Sequence, residues 1–146
     1  MEHYEIGAFN LYELENDSSF YDKCDAMSGD IEVVAFAICG KRGNVLKKHI
    51  PNISDWDTIL ILDKIEINKK FRGNGIGSRV IRKLLHMMNY QFSSGKAIFL
   101  CASDYESADK YGFDSEEYKK GTQRLVEFYK KLGFKVVKNN VMVYCE

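Results

Sequence analysis

A chain of 146 residues, 45% hydrophobic and 13% aromatic, is long enough for one domain with a real core, and residues 1–146 read as a single unit without a linker. Its 21 Lys and Arg residues balance its 21 Asp and Glu residues, which argues against a general nucleic-acid or membrane-surface binder. No apolar run approaches the roughly 18 residues of a membrane span and no basic-then-apolar leader opens the chain, so a cytoplasmic protein is expected.

Taken in order, Tyr4 to Leu14 reads as a first strand, and Ser18 to Met27 as a short helix with Asp17 or Ser18 as its N-cap. Ile31 to Cys39, rich in Val, Ile and Phe, reads as a strand. Gly40 to Asn44 supplies turn residues, and Val45 to Ile50 is expected to pair back as a hairpin. Pro51, the one proline, starts a loop that runs through Asp55. Thr58 to Ile67 is the most apolar strand, and its near-continuous first half predicts a central position covered on both faces.

After it comes a basic, glycine-rich turn and then an amphipathic helix. Ile81, Leu84, Leu85, Met88 and Phe92 recur at helical spacing, with Arg79, Arg82, Lys83 and His86 on the other face. Ala97 to Ala102 is a further buried strand, and the order strand, helix, strand implies a parallel pair. Asp104 to Lys120 is acidic and aromatic, either a solvated loop or helix or one wall of a substrate site. Thr122 to Leu132 is a second helix, with Glu127 placed to pair with Lys131 and Gly133 as its C-terminal stop. Phe134 to Lys138 and Val141 to Cys145 form a closing hairpin around Asn139-Asn140.

Charge is unevenly spread. Lys64 to Lys83 holds seven basic residues against Glu66 alone, while Asp104 to Glu117 holds six acids against Lys110 alone. Cys24, Cys39, Cys101 and Cys145 are widely spaced with no CxxC, which points to reduced, mostly core thiols and no metal site.

The turn Arg72-Gly73-Asn74-Gly75-Ile76-Gly77 sits between a strand and a helix N-terminus, where backbone N–H groups and the helix dipole favour phosphate. No Gly-Lys-Ser/Thr follows it, so it is not a Walker loop, and its Gly-x-Gly-x-Gly spacing lacks the setting of a dinucleotide fingerprint. Without those glycines the basic residues would read as an exposed, solvated face. Further along, Tyr129 stands four residues before Gly133-Phe134.

Together these motifs resemble the GNAT superfamily of acyl-CoA-dependent N-acetyltransferases, over roughly Asp57 to Glu146. The family's Gln/Arg-x-x-Gly-x-Gly/Ala signature matches Arg72 to Gly77, and its tyrosine before Gly-Phe matches Tyr129. Residues 1 to 56 fit the family loosely. The resemblance implies a single-domain α/β (α+β) acyltransferase fold: a mixed, mostly antiparallel sheet flanked by helices, splayed where Thr58–Ile67 and Ala97–Ala102 diverge. It implies acetyl-CoA as co-substrate, its pyrophosphate on the backbone of Gly73, Asn74, Gly75, Ile76, Gly77 and Ser78. Arg72, Lys69 and Lys70 add charge nearby, and the pantetheine arm lies along Ile65 to Ile67. In place of the family's Asn early in the last helix this chain has Thr122, whose hydroxyl is a substitute contact to CoA. Dimers are common in the family, so a homodimer is an expectation.

Acyl transfer to a primary amine requires removal of a proton, because an amine of pKa roughly 10 is mostly protonated at neutral pH. Asp63, at the family's carboxylate position, ranks ahead of Glu66 as base. Strand alternation puts Asp63 on the face of Ile65 and Ile67 and Glu66 on the other, unless a bulge reverses them. Tyr129 suits the acid that protonates the leaving thiolate, although its helical spacing also fits a plain core aromatic. Cys101 lies in an apolar strand, which favours a core thiol over a nucleophile. A CoA-binding module without turnover is the alternative function. The acidic segment around Asp104, Glu106 and Asp109 suggests a cationic acceptor.

Overall fold

The structure, a computed structural model, describes residues 7–27, 29–45, 48–50, 53–54, 57–91 and 95–145. In chain order the elements are β1 (Gly7–Glu15), α1 (Phe20–Asp25), α2 (Gly29–Ile38), β2 (Thr58–Ile67), α3 (Ile76–Gln91), β3 (Gly95–Cys101), α4 (Tyr105–Tyr111), α5 (Glu116–Lys131), β4 (Lys135–Lys138) and β5 (Val141–Cys145). A single 3₁₀ turn, Lys69–Phe71, separates β2 from the glycine turn. The expected start of the first strand at Tyr4, the loop residues Pro51 and Asp55, and the helix position Phe92 lie outside the described residues.

The strands form one five-stranded sheet in the order β1-β2-β3-β5-β4. Only β2 and β3 run parallel; β1 with β2, β3 with β5 and β4 with β5 are antiparallel. This is the mixed, mostly antiparallel sheet flanked by helices that the family resemblance implies. Alternation along the strands divides the core in two. Ile59, Ile61, Ala97, Phe99, Val141 and Val143 pack with Phe20, Cys24, Ile31, Val34 and Ile38 of α1 and α2. Leu60, Leu62, Ile98, Leu100 and Met142 pack on the other face with Ile81, Leu84 and Met88 of α3 and Val126 and Tyr129 of α5.

The largest departure from the sequence reading is Ile31 to Cys39, which is helical through Ile38 in α2 and not a strand. Its buried residues are Ile31, Val34, Ala35 and Ile38, the i, i+3, i+4, i+7 set of one helix face. Phe36, 68% exposed, and Val33 make the opposite face apolar too, so the stripe does not stand out against a polar background. Among the described residues of the expected hairpin, Val45 and 48–50, the pairing is a single antiparallel bridge between Cys39 and Val45; the rest of that expected strand, 46–47, lies outside the described residues. The backbone N–H of Val45 donates instead to Oδ1 of buried Asn16 at 2.9 Å, and the N–H of Asn16 donates to the carbonyl of Asp57 at 2.9 Å. Asn16 thus fastens the connection ahead of β2.

Smaller differences concern caps. Ser19 occupies the N-cap of α1, and Asp17 holds it by accepting from its N–H at 2.8 Å and its hydroxyl at 2.5 Å. Helix α5 begins at Glu116 and not at Thr122, because Ser115 caps it: its Oγ accepts from the N–H of Tyr118 at 3.1 Å, with Glu116 and Glu117 in the first turn. Glu127 pairs with Lys130 at 3.4 Å, one position short of the expected Lys131. Gly133 follows the C-cap with φ of 99°, as its stop role requires.

Candidate functional site

Strands β2 and β3 pair from Thr58 to Leu62, with a register shift between Thr58 and Ile59, ending at Leu62 opposite Leu100, while β2 continues to Ile67 along β1 alone. The sheet therefore opens at this end. A cavity of about 600 Å³ occupies the opening, with walls from both sheet faces: Ile31 and Val34 of α2 on one, Leu125, Phe128 and Tyr129 of α5 on the other. Nothing in residues 1 to 56 had signalled the α2 wall except the spacing of Ile31, Val34, Ala35 and Ile38.

A bulge decides which face each carboxylate occupies. Phe9 pairs with Ile65 and Asn10 with Asp63, so Lys64 is an extra residue in β2. Asp63 continues the alternation of Ile59 and Ile61 toward α2, whereas Ile65 packs with the α3 and α5 cluster. Simple alternation had put Asp63 with Ile65 and apart from Glu66. The bulge reverses this, because two steps of the chain past Lys64 return Glu66 to the side of Asp63. Asp63 is 9% exposed, and both acids line the cavity.

Arg72, Gly73, Gly75, Ile76, Gly77 and Ser78 also line it. Gly73 and Gly75 adopt φ of 82° and 72°, the left-handed region that L side chains rarely enter, which lets the chain reverse directly into α3. The first intrahelical closure is Arg79 N–H to the Gly75 carbonyl at 3.1 Å. By helix geometry the N–H groups of Ile76, Gly77 and Ser78 have no carbonyl within α3, leaving donors at its positive end. Asn74 is not a lining residue; its Nδ2 donates to the Phe71 carbonyl at 3.4 Å and steadies the turn.

Arg72 and Thr122, both expected beside CoA, have hydrogen-bond partners within the protein. Arg72 Nε donates to the Ile67 carbonyl at 2.6 Å, so that carbonyl already has a partner, and its Nη1 and Nη2 meet Glu106 Oε2 and Oε1 at 3.0 and 3.3 Å. Thr122 Oγ1 accepts from the Asp104 N–H at 3.1 Å, fixing the start of α4.

Across the cavity, Tyr129 is 5% exposed and makes edge contacts with Phe128 and Phe134, their ring centroids 5.2 and 5.5 Å away. Burial pushes its phenol up to about 12. Tyr129 is thus both a core aromatic and a cavity residue, and at neutral pH it keeps its proton. Cys101 is half-buried at the cavity edge and none of the four cysteines is in a disulfide; burial raises Cys24 to about 11 and Cys39 to about 12, which keeps both as thiols.

The acidic segment is built on two helices, α4 and the start of α5, and Asp104, Glu106 and Glu116 have partners within the protein. Asp104 is the N-cap of α4, accepting from the N–H and Oγ of Ser107 at 3.2 and 2.6 Å. Glu106 faces Arg72, which together with that hydrogen-bonded pairing holds its carboxyl below the usual range. Asp109 is exposed and not a lining residue. Among the described residues no group of three or more His, Cys, Asp or Glu could hold a metal ion, and no helix is long and apolar enough to cross a membrane.

No family model matches the chain, and no curated protein matches it. Among solved structures, the fold is similar to that of NAA60 from Arabidopsis thaliana in complex with a bisubstrate analogue. The TM-score is 0.53 at 12% identity, over 96% of this chain and 64% of that one. The chain thus spans less than two thirds of that neighbour's length. The likeness establishes a GNAT-like α/β fold.

Proposed function

We propose that the protein transfers an acetyl group from acetyl-CoA to a primary amine by direct attack. The observation that carries this reading is the cavity in the opened sheet, which gathers the glycine turn, the end of β2 that β3 no longer pairs, Asp63 and Tyr129 around one space. A solved neighbour holding a bisubstrate analogue supports a two-substrate transfer in such a fold.

The residues present fit the donor. The turn offers backbone N–H groups at a helix N-terminus to a pyrophosphate, and space beside Gly73 and Gly75 is open, with no atom within 4 Å of where a Cβ would stand. The end of β2 beyond Leu62 gives an extended arm a strand to lie along. Asp63 takes a proton from the acceptor amine, with Glu66 on the same face as the second candidate. The amine nitrogen then forms a bond to the thioester carbonyl carbon, the carbon–sulfur bond breaks, and Tyr129 donates its phenolic proton to the departing sulfur. Backbone N–H groups of β2 near Ile65 are suited to polarise the carbonyl oxygen. The acceptor enters from the α2 side, where the carboxylates are, and the donor from the side of the turn and α5.

A screen for acetyl-CoA-dependent CoA release over small amines, peptides and protein N-termini tests this. Release with at least one amine, and product acetylated at nitrogen, is expected. CoA binding without turnover on any acceptor would favour a binding module instead.

A further inference from the structure

Arg72 reaches out from the donor turn, yet its guanidinium fork is already filled. Glu106 takes both Nη atoms at 3.0 and 3.3 Å, the bidentate arrangement that a phosphate would otherwise adopt on the same fork. Both residues line the cavity. Neither partner needs the other for its position. Arg72 is aimed by its Nε bond to the Ile67 carbonyl, 2.6 Å long. The segment leading into α4, the helix that carries Glu106, is held three other ways, by the Asp104 N–H on Thr122, Ser103 Oγ with the Tyr118 hydroxyl at 2.8 Å, and Asn140 bridging to both backbone groups of Ala102, while the Asp104 cap on Ser107 closes the helix's own first turn. The ion pair is also exposed, with the two side chains 44% and 61% accessible, so it adds little to folding and exchanges readily with other ions.

We propose that Glu106 sets donor affinity by standing in for a donor phosphate on Arg72, a carboxylate that the incoming phosphate displaces. The inference rests on the acetyl-CoA reading above. It makes Arg72 a fork held ready in phosphate-binding geometry while the cavity is empty of donor, and it makes the affinity for CoA lower than the turn alone would give. Glu106 would then belong to the donor side of the reaction and not to an acceptor wall.

The test is calorimetric titration of CoA into the wild-type protein and Glu106→Gln, at low and at high salt, with thermal melting to confirm that the variant is folded. Removing the negative charge next to the phosphate site is expected to tighten CoA about 2- to 5-fold at low ionic strength, the range of an exposed ion pair. The gain should vanish near 1 M salt, where the Debye length is about 3 Å. Glu106→Asp, which keeps the charge, should stay near wild type. If Glu106 only braced α4, Glu106→Gln would bind CoA more weakly at every salt concentration, and that result or an unchanged affinity overturns the proposal. Failure of the wild-type protein itself to bind CoA would overturn the acetyl-CoA reading, and this inference with it.

Discussion

The two sides of the opened sheet are built from different materials. On the α5 side the functional groups are aromatic and backbone: a buried phenol held among Phe128 and Phe134, and the N-terminus of α3. On the α2 side they are two carboxylates brought to one face by the bulge at Lys64, beside the aliphatic Ile31 and Val34. The transfer proposed above would use this asymmetry. The proposed transfer takes a proton from the nucleophile on one side of the thioester and gives one to the leaving group on the other.

The predictions follow from that division, the largest first. Tyr129→Phe removes the proposed proton donor and keeps the ring packing, so kcat is expected to fall about 10²-fold while CoA affinity and melting temperature hold; rapid-quench or steady-state assays with a CoA titration check it. Asp63→Asn should lower kcat by a comparable factor, about 10²-fold, and Glu66→Gln by much less; the reverse ranking would assign the base to Glu66.

On the donor side, Gly75→Ala forces a side chain into a positive-φ position at a cost of about 1–3 kcal/mol. That strain lowers folding stability whatever the space beside it, and because the turn is the proposed pyrophosphate site a raised KM for acetyl-CoA is expected as well. The Tyr129 phenol adds a pH prediction. Because its folded value lies at about 12, above the free value of 10, its stabilising effect is complete below pH 10 and is lost between there and about 12. The alkaline limb of kcat should accordingly show no loss from this group below about pH 11. The smallest effect concerns Asp104→Asn: as an N-cap it is replaced by an adequate capping residue, so stability should change by less than about 1 kcal/mol and acceptor KM should not move.

The two sides also differed in how far the sequence disclosed them. The donor side lies in a stretch where local chemistry is unambiguous: β2 matches Thr58 to Ile67 at both ends, and α3 shows an apolar stripe against Arg79, Arg82, Lys83 and His86, all exposed. The α2 wall has the same stripe, but Val33 and Phe36 blur it, and β-branched residues there favour the strand reading. The bulge was named as the condition that would reverse Asp63 and Glu66, yet nothing in the local sequence fixes it; it depends on how Phe9 and Asn10 pair from β1. The partners of Arg72 and Thr122 were equally hidden, since both are contacts with the α4 region over long sequence separations.

Hydrogen exchange of the wild-type protein with and without CoA, resolved to short peptides, addresses the central claim most directly. The account predicts added protection concentrated in Gly73–Ser78 and Ile65–Ile67, with lesser protection in α4 and none at the α2–hairpin surface around Phe36. Protection confined to other segments, or no protection at CoA concentrations that saturate turnover, would contradict it.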